Sequence, residues 1–210
     1  MNAKIREKII YDVNPDIMCL IETHLIGNAD INLKGYTWFG QNRVLKHVSA
    51  KRGSGGIGFL VKDSLFDDFM VTVTDKSVEG IMSIEMKHKQ SEFIISVIGV
   101  YLPPENSTYG RDSSSYFAQL ISLIYAAVNS DLTLVCGDFN ARVGKKLDYI
   151  PDIDDVPVRK VLDEKVNNHG EAMLEFLKDT KLCVVNGRVT SESDNFTYIS
   201  TRGKSVVTMS

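Results

Sequence analysis

The sequence predicts a mixed α/β fold with two sheets packed face to face, and three observations carry that prediction. Apolar or β-branched runs at 17–21 and 132–136 have the length of buried strands, and an acid follows each, Glu22 and Asp138. Apolar segments at 69–74, 81–86 and 93–101 follow one another with only short polar turns between them, so they pair antiparallel and exclude a doubly wound parallel sheet. Between 113 and 129 the apolar residues Tyr116, Phe117, Leu120, Ile121 and Ile124 recur at helical spacing, which places a helix against a sheet.

In chain order, Ile5, Ile9 and Ile10 predict a short amphipathic helix that ends before Asn14-Pro15, since the residue before proline avoids the helical region. The strand at 17–21 delivers Glu22 at its carboxyl end. A short aromatic strand follows at 36–39. Gly53-Ser-Gly-Gly-Ile-Gly58 spells a dinucleotide-binding Gly-x-Gly-x-x-Gly by letter, but polar residues precede it and a strand, Ile-Gly-Phe-Leu-Val, follows it. That fingerprint needs the reverse order, so the glycines are read as a loop entering a tightly packed strand. The antiparallel strands come next, the last ending at Tyr101 before Pro103-Pro104. The helix from 113 is capped by the Asp112/Ser113 region.

The strand at 132–136 is read as buried on both faces, and Gly137 then frees the backbone before Asp138 and Asn140. Polar groups just past the carboxyl end of a buried strand suit a hard cation or a phosphate, although an isolated Asp-x-Asn is more often a turn that satisfies its own backbone. The acidic loop with Asp148, Asp152, Asp154 and Asp155 is expected to be solvated. A helix near 171–179, a strand at 182–186 with an Asn186-Gly187 turn, and a strand at 196–200 complete the prediction.

With 24 Lys and Arg against 27 Asp and Glu, the net charge of −3 argues against a protein that coats nucleic acid by charge alone. The cations are unevenly placed, because Lys34, Arg43, Lys46, Lys51, Arg52 and Lys62 fall in a stretch without Asp or Glu. Lys51 and Arg52, beside the glycines, are candidate phosphate contacts. No apolar run approaches 18 residues and the start lacks the apolar core of a signal peptide, so neither membrane insertion nor secretion is expected. Asn106-Ser-Thr and Asn195-Phe-Thr therefore match a glycosylation pattern by letter only. Cys19, Cys136 and Cys183 are odd in number, lie in apolar segments and lack metal-ligand spacing; they are expected to be reduced core residues of an intracellular protein.

Three marks in order, Ile17-Met-Cys-Leu-Ile-Glu22-Thr-His, Val97-Ile-Gly-Val-Tyr101-Leu-Pro-Pro and Cys136-Gly-Asp138-Phe-Asn140-Ala, resemble the endonuclease/exonuclease/phosphatase superfamily. More narrowly they resemble the endonuclease domain of non-LTR (LINE-type) retrotransposons and their domesticated craniofacial-development-protein-like relatives. The Gly55-Gly-Ile-Gly-Phe-Leu segment and the terminal Asn195-Phe-Thr-Tyr-Ile-Ser-Thr-Arg-Gly-Lys-Ser are similar to that subfamily as well.

The resemblance implies a four-layered α/β sandwich, two mixed, mostly antiparallel sheets flanked by helices, that cleaves DNA phosphodiesters with Mg²⁺ or Mn²⁺. It implies a metal-ligand role for Glu22 and an acid at Asp138 that orients or deprotonates the attacking water. Asn140 would hold the phosphate or its transition state, and Tyr101 would hydrogen-bond a phosphate oxygen. It implies DNA as partner through its phosphate backbone, no nucleotide cofactor, and a nuclear site of action if genomic DNA is cut.

Relatives of that kind begin one strand earlier, with an Asn that helps hold the metal, and end on an Asp-His pair. Here Thr208 stands where a further family Asp would fall, and none of His24, His47, His88 and His169 matches the catalytic His. The expectation is a single domain over 1–210 that lacks the first strand and the C-terminal Asp-His segment. Loss of a positioned acid or base costs about 10²- to 10⁴-fold, so the expected chain is weakly active or inactive alone. Two alternatives accompany this expectation: a phosphatase or phospholipase of the same superfamily, and a non-catalytic remnant that binds nucleic acid.

Overall fold

In a computed structural model the described residues are 3–42, 55–107, 112–188, 198–200 and 203–205. They form helices α1 (Ala3–Val13), α2 (Leu65–Asp68), α3 (Ser113–Ala126) and α4 (Asn168–Thr180). The strands are β1 (Ile17–Ile21), β2 (Tyr36–Gln41), β3 (Ile57–Lys62), β4 (Phe69–Asp75), β5 (Ile81–His88), β6 (Ile94–Tyr101), β7 (Leu132–Asp138), β8 (Tyr198–Ser200) and β9 (Gly203–Ser205). A three-stranded sheet has the order β1-β3-β2, a four-stranded sheet the order β4-β5-β6-β7, and β8-β9 form a hairpin. Two sheets flanked by helices are the mixed α/β class that the sequence predicts.

The chain groups into two compact units, one of residues 1–99 with 130–134, the other of 100–129 with 135–210. In the first unit β3 lies antiparallel between β1 and β2, with Cys19 opposite Phe59 and Phe39 opposite Phe59 on the other side. Its central place explains why Ile57 through Val61 are all buried. Leu60 packs with Leu33 and Tyr36, and Ile10 of α1, Met18, Leu20 and Trp38 close over that cluster. On the other face a Cβ at Gly99 of β6 would stand 2.8 Å from the Phe59 ring and 3.1 Å from Cys19 Sγ. A bare backbone there lets the two sheets pack closely.

Strands β6 and β7 run parallel. At one end the Asp131 N–H donates to Ile94 O (2.9 Å), and at the other the Leu102 N–H donates to Asp138 O (2.9 Å). Their connection passes through α3, which the Asp112 carboxylate caps by accepting the Ser115 N–H at 3.1 Å. Parallel neighbours joined by a helix are what a crossover connection requires. In the second unit Phe117 of α3 stacks on Phe139 with centroids 6.2 Å apart and meets Phe176 of α4 at 5.3 Å.

Several predicted features differ in the structure. β1 is half-buried along its whole length, because it is an edge of its sheet among the described residues. β7, expected to be covered on both faces, exposes Leu132 (42%) and Leu134 (45%) while Val135 is buried, so only one of its faces is packed. Residues 182–186 form no strand: the Val184 N–H donates to the Asp148 carboxylate, and a side chain replaces the ladder partner a strand would need. Asp148, expected to be solvated, is 1% exposed. Asp154 is also engaged, accepting from the Ile150 N–H at 2.7 Å and from Lys181 at 3.2 Å. The three cysteines form no disulfide and are half-buried. Among the described residues no helix is long and apolar enough to cross a membrane.

Candidate active site

In the second unit, the parallel course of β6 and β7 brings Tyr101 and Asp138 to the same end of the sheet. Gly137 makes the close approach there. It has φ +138°, and a Cβ on it would lie 1.9 Å from Val100 O. No other residue fits that backbone or that gap. The chain then alternates sharply: Phe139 and Ala141 are fully buried, whereas Asp138 and Asn140 are half-buried. The two apolar residues anchor the loop in the α3–α4 core, leaving the two polar ones at the surface of the sheet end.

The Asp138 carboxylate accepts the Asn140 N–H at 2.8 Å. Asn140 itself has φ +47°, a left-handed conformation uncommon outside glycine and most readily taken by Asn and Asp. Its Nδ2 donates to Leu102 O at 2.8 Å, which ties it to the residue after Tyr101. The bond to a carbonyl identifies that atom as the amide nitrogen, so the second Nδ2 proton and Oδ1 are directed elsewhere. The Asp-x-Asn is thus a turn that satisfies backbone groups, and it is also a rigid mount for one carboxylate and one amide.

In the first unit, Glu22 directly follows β1. It is exposed and has φ +50°; His24 has φ +57°. The segment is held by the Thr23 N–H on Gly56 O (3.3 Å) and the His24 N–H on Gly55 O (2.9 Å), extending the β1/β3 pairing past Ile21 and Ile57. Gly56 (φ +87°) is required at this crossing, since a Cβ there would come within 2.4 Å of Thr23 Oγ1. Left-handed residues outside glycine cost of order 1–3 kcal/mol each, and two of the four residues implicated by the resemblance carry that strain. Glu22 also borders a cavity of about 490 Å³ beside Ile10, Met18, Leu20 and Ile31. Its lining is mainly apolar, so the cavity as a whole is no seat for a hard cation.

Among the described residues no group of three or more His, Cys, Asp or Glu could hold a metal ion. A single exposed carboxylate such as Glu22 does not build a closed cage of the zinc type. It does suit Mg²⁺, which keeps several waters and is held by one or two carboxylates together with substrate phosphate. Lys51 and Arg52 lie outside the described residues. The cations after Asn140 are engaged: Arg142 Nε donates to Asp163 at 2.9 Å, Lys145 pairs with Glu164, and Lys146 pairs with Glu171.

Sequence reading overlooked one residue and misjudged the surroundings of another. Asn167 caps α4 and bonds the loop that carries Asn140; the signal was an Asn a few residues before the helix expected near 171–179, which begins earlier, at Asn168. Asp148 is the second. Arg188 donates to its two oxygens at 2.8 and 2.9 Å, and Arg159 Nε donates at 3.2 Å. Burial pushes the Asp148 carboxyl up, but the bonds from Arg188 and the Val184 N–H and the charges of both arginines hold it below the usual carboxylate range. No local pattern marks that burial.

The architecture is of the mixed α/β class with two sheets flanked by helices, and it carries a glycine-gated Asp-x-Asn at the exit of a strand. The chain is similar in fold to the AP endonuclease LMAP from Leishmania major, with a TM-score of 0.72 and 14% identity, covering 99% of this chain and 72% of that one. It is similar as well to the 3′ phosphatase NExo from Neisseria bound to a product DNA hairpin, with a TM-score of 0.54 and 15% identity, covering 95% of this chain and 74% of that one. Residues 7–194 match the model of the Endonuclease/Exonuclease/phosphatase family, and the chain belongs to that family. The family's hydrolases act on phosphodiester bonds and generally use divalent metals. No curated protein matches the sequence.

Proposed function

We propose that this chain is a Mg²⁺- or Mn²⁺-dependent DNA endonuclease domain of retroelement origin whose nicking activity, by itself, is weak. The observation that carries the reading is the Gly137-Asp138-Phe139-Asn140 turn, which mounts a carboxylate and an amide with the exit of Tyr101 directly beside them. Asp138 takes the role of orienting the attacking water and accepting its proton. Asn140, with one Nδ2 proton committed to Leu102 O, donates its second Nδ2 proton to a non-bridging phosphate oxygen as charge builds there. Tyr101 supplies a hydroxyl to the same phosphate. In the first unit Glu22 would hold a divalent cation, and the chemistry such a cation would supply when bound is charge neutralisation.

DNA is favoured by the Tyr101-Leu-Pro-Pro and Gly137-Asp-Phe-Asn-Ala wording and by the basic stretch between Lys34 and Lys62, in which Lys51 and Arg52 are assigned to the phosphate backbone. Action on genomic DNA would place the protein in the nucleus. The test is nicking of supercoiled plasmid by the purified chain with Mg²⁺ and with EDTA, beside Asp138→Ala. Mg²⁺-dependent nicking that disappears in the variant supports the reading. Absence of nicking by the folded chain, or turnover confined to small phosphate esters, overturns it.

A further inference from the structure

We infer that Asn167 is the positioning residue that sets the conformation of Asn140, and through it the alignment of the phosphate-holding amide. Both polar atoms of the Asn167 side chain are engaged, with the loop that carries Asn140 and with the first turn of α4. Its Nδ2 donates to Asn140 O at 2.9 Å. Its Oδ1 accepts the Arg142 N–H at 2.8 Å and the Gly170 N–H at 2.9 Å, and its own N–H donates to Arg142 O at 3.1 Å. A single side chain therefore holds the peptides on both sides of Ala141 and the first turn of α4 at once.

The surroundings show how closely this is built. A Cβ at Gly170 would lie 2.0 Å from Arg142 O, so the first turn of α4 presses directly on the loop. Val143 and Val166 form an isolated antiparallel bridge, and a Cβ at Gly144 would stand 2.7 Å from Glu164 O. Residues 140–144 are thereby zippered onto 164–167, with Asn167 at the end nearest Asn140. Asn140 sits at φ +47° and needs such over-determination to stay there, since a left-handed residue outside glycine persists only where its surroundings hold it. The donor on Asn140 O fixes the peptide plane that follows Asn140. The Asp138 carboxylate and Leu102 O fix the two groups on its other sides.

This inference rests on the assignment of Asn140 to the phosphate, and its test separates the two claims. Asn167→Asp keeps an acceptor for the Arg142 and Gly170 N–H groups, and Asp caps a helix as well as Asn does. It removes only the donor to Asn140 O and sets a carboxylate oxygen against that carbonyl. The experiment compares the 210-residue chain with Asn167→Asp and Asn167→Ala in thermal melting, in plasmid nicking with kcat and KM resolved, and in the NMR spectrum of the Asn140 side-chain amide.

For Asn167→Asp we expect a melting temperature lowered by the unpaired Asn140 carbonyl but above that of Asn167→Ala, a shifted and less protected Asn140 amide signal, and kcat reduced by about 10- to 100-fold with KM within about threefold. Asn167→Ala loses stability as well, because the cap goes with the donor. An unchanged Asn140 amide in Asn167→Asp overturns the inference whether or not the parent chain nicks DNA. A parent chain without nicking overturns the nuclease reading alone, and the amide spectrum then still decides whether Asn167 sets Asn140.

Discussion

The backbone N–H of Asn140 lies 2.8 Å from a carboxylate oxygen of Asp138, so the proposed base of the reaction is also the residue that closes the turn carrying its partner. Removal of Asp138 thus has two effects, and the choice of substitution separates them. Asp138→Asn keeps an acceptor for the Asn140 N–H and removes the charge. Both Asp138→Asn and Asp138→Ala should lower kcat by about 10²- to 10⁴-fold, but only Asp138→Ala should also lower the melting temperature. Parallel nicking and melting curves check this, and equal stability losses in the two variants would contradict the turn-closing role.

Gly137→Ala should be among the most damaging single changes in the second unit. The added methyl would stand 1.9 Å from Val100 O, which is backbone, at a φ of +138° that side chains avoid. Strain and displacement together cost about 3 kcal/mol or more. Denaturant unfolding measures the loss; a variant as stable as the parent would show that β7 can move away from Val100 without penalty.

Divalent metal should be required through Glu22. Glu22→Gln keeps size and polarity while removing the anionic oxygen a hard cation seeks. The Mg²⁺ concentration for half-maximal nicking should rise about tenfold or more, with little change in melting, since Glu22 is exposed. EDTA should abolish nicking by the parent chain. A Mg²⁺ titration identical in parent and variant would remove Glu22 from the metal.

Acid should destabilise the second unit through Asp148. Its folded carboxyl lies below the ordinary aspartate value of about 4, so the unfolded chain takes up its proton first as pH falls. Stabilisation is complete above that ordinary value and is lost as pH drops through the lower folded value. Melting followed from pH 7 to 3 should fall steeply below about pH 4 in the parent and less steeply in Asp148→Asn. Asp148→Ala, which leaves Arg159 and Arg188 facing each other without their anion, should cost about 3–5 kcal/mol at neutral pH.

What the sequence by itself determined is whatever depends on local periodicity and on glycine. The order of strands from 17 to 101, the helix at 113, the rejection of a dinucleotide loop and the position of Asp138 and Asn140 past a glycine all follow from patterns a few residues long. Tertiary structure alone decided which of those elements would be covered. Leu132 and Leu134 read as core and lie exposed, because a strand's second face is buried only if something packs there. Asp148 reads as a solvated acid and is buried, because the two arginines that neutralise it come from 11 and 40 residues away. Residues 182–186 read as a strand and are held instead by that same carboxylate. Asn167 lies 27 residues from Asn140, and only the zippering of 140–144 onto 164–167 turns a helix cap into a support for the candidate site. Burial and long-range hydrogen bonds are properties of the folded chain, and no window on the sequence contains both partners.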